Sequence, residues 1–113
     1  MTEKACVFCA ISAHASPAEF VYEDDTVIVI RDRFPKAPVH ILAIPRKHIA
    51  SLQELTGEDA ALLAHLVEVI QLVTKQLGVD NGYRVIINIG EDGGQTVTHL
   101  HVHVIAGRCL GFR

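Results

Sequence analysis

The chain has no surplus of positive charge: ten Lys and Arg face thirteen Asp and Glu, a net charge of −3 with seven histidines counted as neutral. Without a basic stripe there is nothing to neutralise a nucleic-acid backbone, so no polymeric nucleic acid is expected as a partner. No apolar run approaches the roughly 18–20 residues that a bilayer span requires. Met1-Thr2-Glu3-Lys4 enters the fold without an apolar leader, so the expectation is a cytoplasmic protein with no membrane partner. Cysteine is too sparse for a disulfide framework: Cys6 and Cys9 form a C-x-x-C pair and Cys109 stands alone, which leaves a metal site or free thiols. Repeats, linkers and low-complexity segments are missing as well, so residues 1–113 are read as a single domain. The one glycine-rich segment, Gly90-Glu91-Asp92-Gly93-Gly94, matches neither G-x-G-x-x-G nor a P-loop, and no Rossmann fold is indicated.

Half of the residues are hydrophobic and about a fifth are charged, enough to bury one core and to make a homodimer plausible on composition. Residues Cys6 to about Ala13 suggest a short helix. Phe20-Val21-Tyr22 and Thr26 to Ile30 are β-branched and aromatic runs joined by Glu23-Asp24-Asp25, a hairpin pattern. Val39 to Ile44 forms the next strand after a proline-bounded loop. Ser51-Leu52-Gln53-Glu54 has capping-box spacing for a single helical turn. A long helix is predicted from Thr56 as N-cap, through Leu62, Leu63, Leu66, Val69, Ile70, Val73 and Leu77, to Gly78 as stop. His65, within it, and His14 lack a sequence-level partner and read as surface or boundary residues. Tyr83 to Ile89 is predicted as a strand paired with the segment that follows the glycine turn. Strands grouped before and after one helix indicate an α+β domain with an antiparallel sheet of about five strands.

Thr98-His99-Leu100-His101-Val102-His103-Val104-Ile105 places three histidines at two-residue spacing. On a strand, Leu100, Val102 and Val104 enter a core while the three imidazoles share the other face. Imidazole serves near neutral pH as nucleophile, proton donor, acceptor or metal ligand. The turn upstream, Asn88 and Gly90 to Thr96, is expected to present backbone N–H groups to an anion beside that strand.

This histidine pattern, together with Glu23-Asp24-Asp25, Ala37-Pro38-Val39-His40, Ile44-Pro45-Arg46-Lys47-His48-Ile49, Gly82-Tyr83-Arg84 and Asp92-Gly93-Gly94-Gln95, resembles the histidine triad family over nearly the entire chain. Within it the chain looks like the Hint branch, the nucleoside phosphoramidate hydrolases. The resemblance implies a histidine triad fold and cleavage at the α-phosphorus of a purine nucleotide. His101 would attack phosphorus and carry a nucleotidyl intermediate, its Nδ1 donating to a backbone carbonyl. His103 and His40 would flank the phosphate, and Thr96, where the branch commonly has serine, would keep a hydroxyl near the leaving group. Gln95 with the amides around Gly93 and Gly94 would complete the phosphate cradle near Asn88. Asp32 would accept from the ribose hydroxyls, although an Asp opening a loop also caps its own backbone. Phe8, Ile11 and Ile30 would surround the base, with Ile30 aliphatic where relatives often carry an aromatic residue.

The C-x-x-C pair supplies two tetrahedral ligands and leaves two to be found. The resemblance implies a structural zinc held by Cys6, Cys9, His48 and His99, with Cys109 a lesser candidate. Packed free cysteines and a redox pair are the alternatives. Three other functions stand beside the phosphoramidase reading: a dinucleoside polyphosphate hydrolase, suggested by Gln95-Thr96-Val97 against the Hint-type Ala106-Gly107-Arg108; a metallohydrolase with metal on His99, His101 and His103; and a non-catalytic nucleotide-binding module. The Leu110-Gly111-Phe112-Arg113 ending is shorter than in many relatives, which bears on leaving-group specificity.

Overall fold

A computed structural model describes residues 5–107, and the readings placed on Arg108, Cys109 and 110–113 lie outside the described residues. The elements are α1 (Val7–Ser12), β1 (Phe20–Glu23), β2 (Val27–Arg31), β3 (Val39–Pro45), α2 (Ala60–Gln76), β4 (Tyr83–Ile86) and β5 (Val102–Ala106), with single 3₁₀ turns at Leu52–Glu54 and Gly57–Asp59. The strands form one antiparallel sheet in the order β1-β2-β3-β5-β4. This is the α+β architecture expected from the strand–helix–strand pattern.

Strand alternation divides the core in two. Val27, Val29, Ile41, Ala43, Val102 and Val104 point to one face, where Leu66, Val69, Ile70 and Val73 of α2 cover them. Ile28, Ile30, Leu42 and Ile44 point to the other, where Cys6, Phe8 and Ile11 of the N-terminal segment pack. β2 is therefore buried on both faces, which explains its unbroken apolar run. Thr56 forms a full capping box with Asp59, as the sequence suggests, but the helix first makes a 3₁₀ turn and becomes α-helical at Ala60. Gly78, at φ +72°, closes it in the left-handed conformation that glycine adopts without a Cβ penalty. Among the described residues no helix is long and apolar enough to cross a membrane.

Two strand predictions need correction. β4 ends at Ile86 rather than Ile89, because the chain leaves the ladder to build the turn before the histidines. β5 begins only at Val102, so His103 alone of the three histidines lies in the sheet, paired with Leu42 and Ile86. His99 and His101 sit in the irregular segment leading in, where Leu100 N–H bonds to the Ile49 carbonyl at 2.6 Å. Their alternation still sends Leu100, Val102 and Val104 into the interior.

His14 and His65 also find partners that spacing could not show. His65 Nε2 lies 2.6 Å from Asp24 Oδ2, joining α2 to the β1–β2 turn, and His14 pairs with Glu23. Arg46 latches the same corner, donating to the Asp24 carbonyl, the Ser12 carbonyl and hydroxyl, and the Glu23 carboxylate. The C-terminal end of α1 is thereby tied to the exit of β3.

Candidate functional site

On the sheet face opposite α2, two cavities abut. The larger, about 820 Å³, is lined by Phe8, Ile11, Ile30 and Leu42 at its apolar end and by Asp32, Phe34 and Thr96 at its mouth. The smaller, about 450 Å³, shares Asp32, Phe34 and Thr96 and adds His40, Asn88 and His103. Residues from α1, β2, β3, β5 and two loops thus converge on these cavities, whereas His101, Gly94 and Gln95 line neither of the two. Phe8 does more than line an apolar wall: its ring also meets His101 and His99 edge-on, with centroids 5.0 and 5.8 Å away.

The hydrogen bonds define which nitrogen of each imidazole carries the proton. His101 is buried, and its Nδ1 lies 2.7 Å from the His99 carbonyl, so Nδ1 donates and Nε2 keeps its lone pair. His40, also buried, accepts at Nδ1 from the Lys36 amide at 3.0 Å, which puts its proton on Nε2. That Nε2–H is 2.9 Å from Nδ1 of His103 and 3.4 Å from Asp32 Oδ2. His103 therefore accepts at Nδ1 and carries its own proton on Nε2. The three rings form one contiguous set, with His103 centroids 5.1 Å from His101 and 5.2 Å from His40.

Burial lowers the pKa of His40, reinforced by Lys36 and opposed by Asp32. Burial likewise lowers that of His103, and the neighbouring His101 and His40 push the same way. Both rings are thus held neutral, in keeping with the proton positions fixed by their partners. The other oxygen of Asp32 accepts the Phe34 amide at 2.8 Å, so this residue caps its own loop while its second oxygen faces His40.

The glycine turn is built differently from the anion cradle expected of it. The amides of Gly93, Gly94 and Gln95 donate to the carbonyls of Gly90 and Glu91 inside the turn. Gln95 spends its side chain bonding the Gly90 amide and the Ala50 and Val97 carbonyls, and Asn88 Nδ2 bonds the Gly93 carbonyl. A Cβ at Gly93 would lie 2.1 Å from the Ile89 carbonyl oxygen, so only glycine fits there. The turn holds Thr96 in place at the junction of the two cavities.

Behind the site lies a second cluster. Cys6, Cys9, His48 and His99 bring four ligand atoms within 4.8 Å of one another. Nδ1 of His99 is 3.2 Å from Cys6 Sγ and 3.6 Å from Cys9 Sγ, and Nδ1 of His48 is 3.2 Å from Cys9 Sγ. Tetrahedral zinc, with bonds of about 2.3 Å to sulfur and 2.0–2.1 Å to nitrogen, places such atoms about 3.5 Å apart. His99 Nε2 donates to the Pro45 carbonyl at 2.8 Å, which leaves Nδ1 with the lone pair a metal needs. The four residues therefore fit a closed structural site. Asp32, His40 and His103 also gather within 4.8 Å. There the Lys36 amide opposes metal binding, since a metal on Nε2 of His40 would force a proton onto Nδ1 against that N–H.

Residues 5–111 match the family described as scavenger mRNA decapping enzyme C-term binding. An uncharacterised HIT-like protein of Chlamydia trachomatis is 49% identical over 105 residues, 93% of this chain and 95% of the relative. A HIT family hydrolase from Clostridium thermocellum superposes with a TM-score of 0.95 at 42% identity, covering 99% of this chain and 98% of its own. A zinc-bound histidine triad family protein from Mycobacterium smegmatis does so with 0.79 at 35% identity, covering 95% and 78%. By sequence and by fold, the chain belongs to the histidine triad (HIT) family.

Proposed function

We propose that this protein hydrolyses purine nucleoside 5′-phosphoramidates through a nucleotidyl-His101 intermediate. The observation that carries the reading is the 2.7 Å bond from His101 Nδ1 to the His99 carbonyl, which frees Nε2 as a neutral nucleophile. The Nε2 lone pair forms an N–P bond while the P–N bond to the leaving amine breaks. The amine takes a solvent proton relayed by the Thr96 hydroxyl, which lines both cavities. His101 is then cationic, and the carbonyl on Nδ1–H stabilises that charge. Water attacks phosphorus in the second step, releasing a proton to solvent by the same route and returning the electron pair to Nε2.

His103 donates its Nε2–H to a nonbridging oxygen, and His40 acts behind it by fixing that proton. Asp32 binds the ribose, the apolar cavity of Phe8, Ile11 and Ile30 takes the base, and Asn88, Gly94 and Gln95 shape the phosphate side through the turn. Cys6, Cys9, His48 and His99 hold a structural zinc that clamps α1 to the sheet and takes no part in bond breaking. Cys6 and Cys9, held as metal ligands and not joined in a disulfide, suit a reducing cytoplasm. The half-exposed Val85 on edge strand β4 supports a homodimer joined at that edge.

The match to a decapping-scavenger family favours a second reading, cleavage of a dinucleoside polyphosphate at the same phosphorus. Turnover of adenosine and guanosine phosphoramidates and of a diadenosine polyphosphate separates the two. For the first reading, wild-type protein turns over the phosphoramidates faster and yields a covalent nucleotidyl adduct mapped to His101. His101→Ala loses more than about a thousandfold in rate yet binds AMP within a few fold of wild type. Equal turnover by wild type and variant would rule the mechanism out.

A further inference from the structure

His99 takes part in both clusters at once. Its ring is fully buried among Cys6, Cys9 and His48, while its backbone carbonyl is the acceptor that fixes the proton of His101. Residues 99 and 100 lie outside any strand ladder, so this carbonyl is placed by individual contacts. They include the ring bond to Pro45, the Leu100 amide on the Ile49 carbonyl, and the thiol contacts of Nδ1. Phe8, in the helix between the two cysteines, touches the His99 and His101 rings together. A metal on Cys6 and Cys9 would therefore bear at once on the His99 ring, the His99 carbonyl and the Phe8 edge.

We infer that His99 is a positioning residue through which metal occupancy of the Cys6–Cys9–His48–His99 set aims the His101 nucleophile. The inference rests on the zinc and nucleophile assignments proposed above. It makes the metal more than a clamp on the N-terminal segment. With metal bound, His101 is held as the Nδ1–H tautomer. Without it, the bonds to Pro45 and Ile49 remain but the sulfur side of the His99 ring is no longer held, and the His101 ring samples both tautomers, one of which has no lone pair at Nε2.

The test is long-range ¹H–¹⁵N correlation of the imidazoles in histidine-labelled protein, zinc-loaded and after chelation, with valine and isoleucine methyl spectra reporting that the fold persists. The expected result is an Nδ1–H pattern for His101 in the loaded protein and a tautomer-averaged pattern after zinc removal. His40 keeps its Nε2–H pattern in both, because the Lys36 amide sets it independently. Formation of the His101 adduct slows on the order of ten- to a hundredfold, as when an outer partner of a ligand is lost.

A second measurement needs only the native loaded protein. Coupling is reciprocal, so saturating AMP or a trapped His101 adduct must tighten zinc binding, measured in competition with a chelator, several-fold. An unchanged His101 tautomer in chelated, folded protein, or zinc affinity indifferent to nucleotide, overturns the inference; so does a purified protein that takes up no zinc. A tautomer shift in a protein inactive on phosphoramidates would refute the substrate assignment alone.

Discussion

Two histidine clusters share one short stretch of chain, and their chemistry differs because backbone groups engage different nitrogens of their rings. In the rear cluster a carbonyl takes the Nε2 proton of His99 and turns Nδ1 toward two sulfurs. In the front cluster a carbonyl takes the Nδ1 proton of His101 and leaves Nε2 its lone pair. His40 meets an amide instead of a carbonyl, which converts it into a donor aimed at His103. Both clusters bring at least three potential ligand atoms within the same 4.8 Å, yet in the front one the Nε2–H of His40 stands among them. Proximity of ligand atoms is thus a weaker guide to metal binding than the partner on the far side of each ring.

The contrast can be broken most severely at the rear cluster. Cys6→Ser should cost at least about 3 kcal/mol of unfolding free energy and abolish its sensitivity to chelator, because metal binding free energy is folding free energy. Urea unfolding with and without chelator checks both. A wild type indifferent to chelator would merge the two clusters into one metal-free network. At the front cluster, His40→Gln should lower kcat about ten- to a hundredfold, roughly 1.4–2.7 kcal/mol, with KM little changed, since His40 acts through His103. A rise in KM instead would assign His40 direct contact with the phosphate.

A smaller effect distinguishes the clusters by pH. His40 and His103 have lowered pKa values in the fold, so below about pH 6.5 the unfolded chain takes up protons that the folded chain resists. Their contribution to stability is full above that pH and lost as pH falls through the folded values. The urea midpoint of wild type should drop between about pH 7.5 and 5.5 more than that of His40→Gln/His103→Gln. Equal slopes would show that neither ring is held neutral by the fold. The mildest test uses a histidine of neither cluster: His65→Ala should cost about 1 kcal/mol of stability and leave turnover unchanged. Burial raises the pKa of its partner Asp24, yet hydrogen bonds from Tyr22, Thr26, His65 and Val27 outweigh that and hold the carboxyl below the usual carboxylate range. Part of the stability lost in His65→Ala should therefore vanish on acidification, as Asp24 protonates.

Periodicity made the β1–β2 hairpin, α2 and the inward faces of Leu100, Val102 and Val104 legible, because those signals depend on burial alone. The start of β5 was not legible. Alternation continues through His99 and His101, but the chain there bonds to the Ile49 segment rather than to a neighbouring strand. The glycine turn misled for a related reason: glycines that open amides to an anion and glycines that let a turn close on its own amides look alike in sequence. Placement of His48 and His99 beside the cysteines followed from family resemblance, since 39 and 90 residues separate each contact from Cys9. The Lys36–His40–His103 relay left no sequence signal, as it depends on how a proline-bounded loop folds back onto β3.

The Arg46 latch bears on how α1 is held. It anchors the C-terminal end of α1 through Ser12 using only the chain's own atoms, while the cysteines lie at the opposite end of that helix. The helix is thus tied to the sheet at one end by bonds that involve no cysteine, while the thiols toward its other end face His48 and His99. Its place in the fold does not depend on the cysteines alone.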